Sequence, residues 1–166
     1  CGDISSSLNM ANYGEISFAN DLLIKVKGSI ELYKEGKMSA GAMLEIISNA
    51  LSNNSAITSK KITLKSESLH LGNSSQVQFI KDLTVLVKGT LTQESGAEIE
   101  GDGAADISFS EFYNFGFIKA LSQKIAGHIF ENGGEVAAEV VAIKLEGVLR
   151  NLNQGCLNVS ELVDII

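Results

Sequence analysis

The sequence predicts an all-β protein, a right-handed parallel β-helix of about eight coils in which residues 1–166 form a single domain. Three observations predict this fold. The chain repeats about every 20 residues, apolar and polar residues alternate with period two inside each repeat, and proline is absent from all 166 residues. Proline cannot donate a backbone hydrogen bond, so it is excluded from strands that are paired on both edges.

The repeat is marked by a column of small residues spaced 18 to 22 residues apart: Gly14, Gly36, Ser55, Ser75, Gly96, Gly116, Gly134 and Gly155. Six of the eight units carry asparagine two positions earlier, namely Asn12, Asn53, Asn73, Asn114, Asn132 and Asn153. The residues two positions later are Ile16, Met38, Ile57, Val77, Glu98, Ile118, Val136 and Leu157. Glu98 is the one polar member, and Ile99 stands beside it as if one residue were inserted.

Each unit also contains alternating runs, such as Ile62-Thr63-Leu64 and Ile107-Ser108-Phe109. Period two is typical of a strand with one buried face. A further strand should precede the asparagine turn, around Leu8, Ile30, Leu51, Leu69, Leu91, Phe112, Ile129 and Leu149. We therefore expect three strands per coil and no helix, including over residues 136–148, where Ala and Glu could also favour a helix.

A coil of about 20 residues buries its apolar side chains only when a neighbour stacks on it. Stacked asparagines can hydrogen-bond from coil to coil, as in amide ladders. We expect Asn114, Asn132 and Asn153 to form one ladder, and Asn53 and Asn73 to form another. Their role is that of corner residues, without a binding function.

Residues 53–59 (NNSAITS), 114–120 (NFGFIKA) and 132–138 (NGGEVAA) carry the pattern Asn-x-small-x-apolar. This pattern resembles the repeats of filamentous haemagglutinin-like exoproteins, which include secreted adhesins and contact-dependent inhibition proteins. The resemblance implies a segment of a longer, secreted protein of the bacterial cell surface, with flanking domains in the same polypeptide. Its implied role is that of a non-catalytic shaft in an adhesin or in a toxin-delivery stalk, or of an adhesive segment facing a protein or glycan receptor on a host or target cell.

The net charge of −7 argues against nucleic acid as a partner, because such binding requires cationic residues to neutralise phosphates. The longest apolar stretches, such as residues 140–143, are too short for membrane insertion. The open ends of a β-helix expose strand edges, so end-to-end association is expected unless they are capped. Because of this end-to-end association, an intracellular scaffold protein that polymerises into filaments is a further possible function.

A carbohydrate-binding or polysaccharide-cleaving β-helix is the main alternative, because fold alone does not determine function. The densest acidic group is Glu94, Glu98, Glu100, Asp102 and Asp106. It lies where the repeat is irregular, so we expect a solvated surface loop, with a weak calcium site and catalysis as open alternatives. The two histidines, His70 and His128, are about three coils apart. We assign no catalytic, metal or cofactor residue and expect no cofactor.

Five aromatic residues cluster between positions 109 and 117. Phe109 and Phe112 should point inward, while Tyr113, Phe115 and Phe117 should point outward around the Asn114 corner. An exposed aromatic patch often marks an interaction surface, so these three are the candidate partner-binding residues. Coverage by a neighbouring coil or domain is the alternative. The two cysteines, Cys1 and Cys156, should be free thiols, with Cys156 buried as a small apolar residue.

Overall fold

The structure, a computed structural model, describes residues 1–165, which form 17 strands and no helix. The strands are β1 (Gly2–Ser6), β2 (Met10–Asn12), β3 (Glu15–Phe18), β4 (Leu22–Val26), β5 (Ser29–Leu32), β6 (Lys37–Ile47), β7 (Ala50–Asn53), β8 (Ala56–Ser66), β9 (Ser68–Leu71), β10 (Gln76–Val87), β11 (Thr90–Gln93), β12 (Glu98–Gly101), β13 (Ala104–Ser108), β14 (Glu111–Asn114), β15 (Phe117–Asn132), β16 (Glu135–Asn151) and β17 (Cys156–Ile165).

Every strand pairs in parallel with a strand one coil away, so the chain winds into a solenoid with three faces. Face A begins with β1 and β4, face B with β2 and β5, and face C with β3 and the first half of β6. Long strands such as β8 and β10 run from face C around a corner into face A. The predicted parallel β-helix of about eight coils is therefore confirmed, and residues 136–148 lie in strand β16 as expected.

The apolar column on face C follows the predicted repeat. Ile57 pairs with Met38 on one side and Val77 on the other, and both neighbours are buried. At the irregular unit, Ile99 takes the inward position between Val77 and Ile118, while Glu98 faces outward. The inserted residue therefore shifts the chain by one position and keeps the core continuous.

The column predicted for face B needs two corrections. Leu8 lies in a turn and is 76% exposed, and the inward position belongs to Met10, which pairs with Ile30. Phe130, rather than Ile129, pairs with Phe112 and is buried. The two rings stack at a centroid distance of 5.1 Å. Phe109 and Phe112 are both buried, as expected.

Two kinds of turn connect face B to face C. In the short turn, the side-chain oxygen of an asparagine accepts the backbone N–H two residues later, as Asn53 does from Ser55 at 3.0 Å and Asn114 from Gly116 at 3.1 Å. The wide turn has extra residues and closes through a backbone bond, as from the Ser75 N–H to the Gly72 carbonyl at 2.8 Å. An asparagine side chain thus replaces a backbone turn at the short corners of Asn12, Asn53 and Asn114, whereas at the Asn132 corner the Gly134 N–H donates to the Asn114 carbonyl.

The wide turn around Gly96 has a specific backbone requirement. Its φ is +94°, and the N–H of Ala97 donates to the carbonyl of Glu94 at 3.0 Å. A positive φ at the third residue of a β-turn is readily adopted only by glycine or asparagine. Ala97, not Gly96, therefore holds the small-residue position that this coil contributes to the stack.

Candidate functional site

The predicted asparagine ladder lies on the inward side of face B, at the corner with face C. Asn114 Nδ2 donates to Asn132 Oδ1 at 2.8 Å, and both residues are fully buried. Asn132 Nδ2 then donates to Asn151 Oδ1 at 2.9 Å. Parallel pairing places these three residues directly above one another. The buried amides of Asn114 and Asn132 therefore find their hydrogen-bond partners within the stack, whereas Asn151 is exposed and its Nδ2 donates to the Gly155 carbonyl at 2.9 Å.

Two predicted members of the ladders are wrong. Asn153 lies in a wide turn and is exposed, and Asn151 takes the stacked position instead. Asn73 likewise lies exposed in a wide turn, and Asn53 pairs with Leu71. The cause in both is a turn two residues longer than the asparagine turn. The inward column thus contains Asn12, Leu32, Asn53, Leu71, Gln93, Asn114, Asn132 and Asn151, of which Asn151 is exposed.

Asn53 compensates for the missing stacked asparagine by bonding to a hydroxyl. Its Nδ2 donates to Ser75 Oγ at 2.6 Å, and its Oδ1 accepts from Ser55 Oγ at 2.9 Å. All three residues are buried. The wide turn of the next coil leaves the Asn53 side chain without a stacked amide partner. Ser55 and Ser75, two serines of the small-residue column, supply its hydrogen bonds instead.

The aromatic side chains around Asn114 point outward but do not form one flat patch. Tyr113 lies on face B and Phe117 on face C, both half-buried, and Phe115 lies at the corner between them with 43% of its surface exposed. The Tyr113 hydroxyl donates to Glu111 at 3.2 Å, and this bond raises the pKa of the phenol. The role of these residues in partner binding stays a prediction.

Sequence reasoning missed one apolar neighbour of this corner. A Cβ at Gly133 would lie 2.8 Å from Phe115 and 3.4 Å from Leu152, so the side chains of Phe115 and Leu152 both approach this glycine. Leu152 is also partly exposed. The coil register explains why Leu152 lies beside Gly133, because these two residues directly follow the paired residues Asn132 and Asn151. The apolar surface at the corner therefore spans three coils.

The acidic group predicted to form a loop lies largely on strands. Glu98 and Glu100 belong to β12 and Asp106 to β13, so the loop prediction is wrong. Period-two pairing holds these side chains on the outer surface. Each of three acids has a basic neighbour one coil away: Glu100 with Lys119 at 2.8 Å, Asp106 with Lys124 at 3.8 Å, and Glu94 with His70 at 3.3 Å. The bond to Glu100 also raises the pKa of Lys119.

The remaining reactive residue types lie apart from one another. His70 is on face B, whereas His128 lies three coils away at the corner between faces A and B. Both cysteines are free, and Cys156 is exposed on face C, so the prediction of a buried Cys156 is wrong. Among the described residues, no group of three or more His, Cys, Asp or Glu side chains is placed to hold a metal ion.

The part of the chain that the structure describes also contains no helix with the length and apolar character needed to cross a membrane. Comparison of the chain with protein-family models, curated proteins and solved structures finds no match.

Proposed function

We propose that this chain is a non-catalytic β-helical segment of a secreted bacterial surface protein, acting as a shaft that holds other regions away from the cell. The observation that carries the proposal is the unbroken stack of parallel rungs from β1 to β17. One hydrophobic core runs through this stack from Leu22 to Ile143. The hydrogen bonds between coils run along the long axis, so the coils behave as one elongated rod.

The surface chemistry supports a structural role. The carboxylates Glu45, Glu67 and Glu100 each lie within 2.8 Å of a lysine amine on an adjacent coil. Each such ion pair contributes little to stability at a solvated surface. Because these carboxylates are paired with lysines, few of them are grouped together for acid–base chemistry. The buried polar residues hydrogen-bond mainly within the stack. Both features favour a rod that presents surfaces over an enzyme with an active centre.

Surface exposure on the source cell is the direct test of the proposed location. Antibodies raised against the purified protein should label intact, unpermeabilised cells, and external protease should remove the signal. An antibody against a cytosolic protein is the control, because it should leave the same cells unlabelled when they are intact. Labelling that requires permeabilisation would contradict the proposal and favour an intracellular scaffold.

We propose that the aromatic corner, formed by Tyr113, Phe115 and Phe117, is the surface through which an adhesive segment contacts its protein or glycan receptor. Tyr113→Ala combined with Phe117→Ala should reduce attachment of the immobilised protein to target cells. Tyr13→Ala, which removes a 65% exposed ring near the opposite end of the stack, is the matched control. If the unmodified protein, the double variant and Tyr13→Ala all attach equally, the aromatic corner is not the receptor-binding surface. Loss of folding in the double variant would assign the rings to the core instead.

A further inference from the structure

A long groove, not indicated by any sequence motif, runs along the corner between faces A and B. Its larger part has a volume of about 870 Å³ and its smaller part about 520 Å³, and the two parts share Leu86 and Lys88. Together they extend from Ser5 in the first coil to Lys144 in the eighth rung of face A. With rungs about 4.8 Å apart, the groove is roughly 35 Å long.

The groove concentrates positive charge on an acidic protein. Its lining includes five of the chain's 13 cationic residues but only two of its 20 acidic residues, which gives the lining a formal charge of +3. The lysines are Lys25, Lys27, Lys65, Lys88 and Lys144, and the acids are Glu67 and Glu146. Because the whole chain carries −7, the residues outside the groove carry −10. An anionic ligand is therefore attracted to this groove and repelled elsewhere.

Two of the lysines alternate with aliphatic residues along the groove. Along the outer side of face A, the stacked residues are Lys25, Ile47, Lys65 and Leu86, in that order. Lysine and aliphatic side chains thus alternate, and Lys25 and Lys65 are separated by two rungs, about 10 Å. Lys65 is bonded to Glu45 and Lys88 to Glu67. Lys25 and Lys27 are exposed, and within residues 1–160 no carboxylate lies at ion-pair distance from either.

We propose that this corner groove binds an extended acidic polysaccharide, with its carboxylate or sulfate groups on the lysines and its sugar rings on Ile47 and Leu86. The hydroxyls of Ser5 and Ser7 and the amide of Asn49 line the same groove and can bond to sugar hydroxyls. This site goes beyond the proposed shaft role and does not depend on where the protein is located.

Two other polyanions fit the groove less well. Nucleic acid carries a much denser line of charge and is bound as a single strand by exposed aromatic platforms. The only aromatic ring in the lining besides His128 is Phe109, which is buried. An acidic peptide would add to a free strand edge, but strands such as β4 and β8 are paired on both sides.

The test measures binding of the purified protein to polygalacturonate and to dextran sulfate, with neutral dextran as the uncharged control. Both polyanions should bind, more weakly as salt is raised, and dextran should not bind. The variant Lys25→Gln with Lys27→Gln should weaken binding about tenfold, since two ligand contacts are lost. Glu67→Gln, which removes an acid from the groove, should strengthen it.

The matched control is Lys34→Gln with Lys60→Gln, which changes the net charge equally at two exposed lysines outside the groove. It should alter affinity by less than about twofold. The proposal is overturned if neither polysaccharide binds, if both double variants weaken binding equally, or if polyglutamate or single-stranded DNA binds more tightly than the polysaccharides. Circular dichroism of each variant ensures that lost binding is not lost folding.

Discussion

Asn114 and Asn132 lie one coil apart, and the side-chain amide of the first donates to the side-chain oxygen of the second at 2.8 Å. Both side chains are fully buried, so the bond forms where water cannot substitute for either partner. The same contact, repeated from Asn132 to Asn151, aligns three successive coils at one corner.

Replacing Asn132 with alanine should lower the free energy of unfolding by about 2–4 kcal/mol, because the Asn114 amide and the Asn151 oxygen both lose their partner. Asn153→Ala is the control, since this side chain is exposed in a turn and should change stability by less than about 0.5 kcal/mol. Urea unfolding followed by circular dichroism measures both. A larger effect at Asn153 than at Asn132 would contradict the ladder.

Gly96→Ala should destabilise the protein by about 1–3 kcal/mol, because its positive φ is strained for any residue with a Cβ. The new Cβ would also lie 2.9 Å from the Asn73 carbonyl oxygen. Gly14→Ala provides the comparison, since a Cβ there meets nothing within 4 Å. Thermal unfolding should therefore separate the two variants, and equal melting temperatures would show that the wide turn does not require glycine.

Tyr33 donates its hydroxyl proton to Glu31, and this hydrogen bond raises the pKa of the phenol above its usual value. A raised pKa means that the fold favours the protonated form. The contribution of this bond to stability is therefore complete below about pH 10 and is lost as the pH rises through the pKa of the folded protein. Glu31→Gln should lower the Tyr33 pKa, measured by the chemical shift of the labelled Tyr33 ring carbon. An unchanged titration would show that the bond is absent in solution.

Much of the fold follows from the sequence because side-chain direction in a strand has period two. This rule, with the repeat, identifies the strands and the apolar column through Ile57 and Val77. It cannot detect a slip of two residues, because such a slip leaves every side chain on the same side of the strand. The wide turns after Leu71 and Asn151 introduce this kind of slip. An alignment of Asn73 with Asn53, or of Asn153 with Asn132, therefore satisfies the period-two pattern although neither pair is stacked.

The groove had no sequence signal for a different reason. Lys25 and Lys27 are far from Lys65 and from Lys88 in the chain, and no two of the four lysines are adjacent. They line one groove only because the coils stack in a particular register and faces A and B meet at a concave corner. The outward direction of Tyr113, Phe115 and Phe117 was predictable from period two, but their division between two faces depends on the turn geometry at Asn114.

The fold depends on the pairing register between neighbouring coils, and engineered disulfide formation measures that register. Glu131 pairs with Arg150, and paired strands hold Cα atoms about 4.8 Å apart, within the range that a disulfide spans. With Cys1 and Cys156 changed to serine, Glu131→Cys with Arg150→Cys should oxidise readily to an intramolecular disulfide. Glu131→Cys with Leu152→Cys, the pair required if Asn153 stacked on Asn132, should remain reduced under the same conditions. Preferential cross-linking of the second pair, measured by mass spectrometry, would contradict the architecture described for this chain.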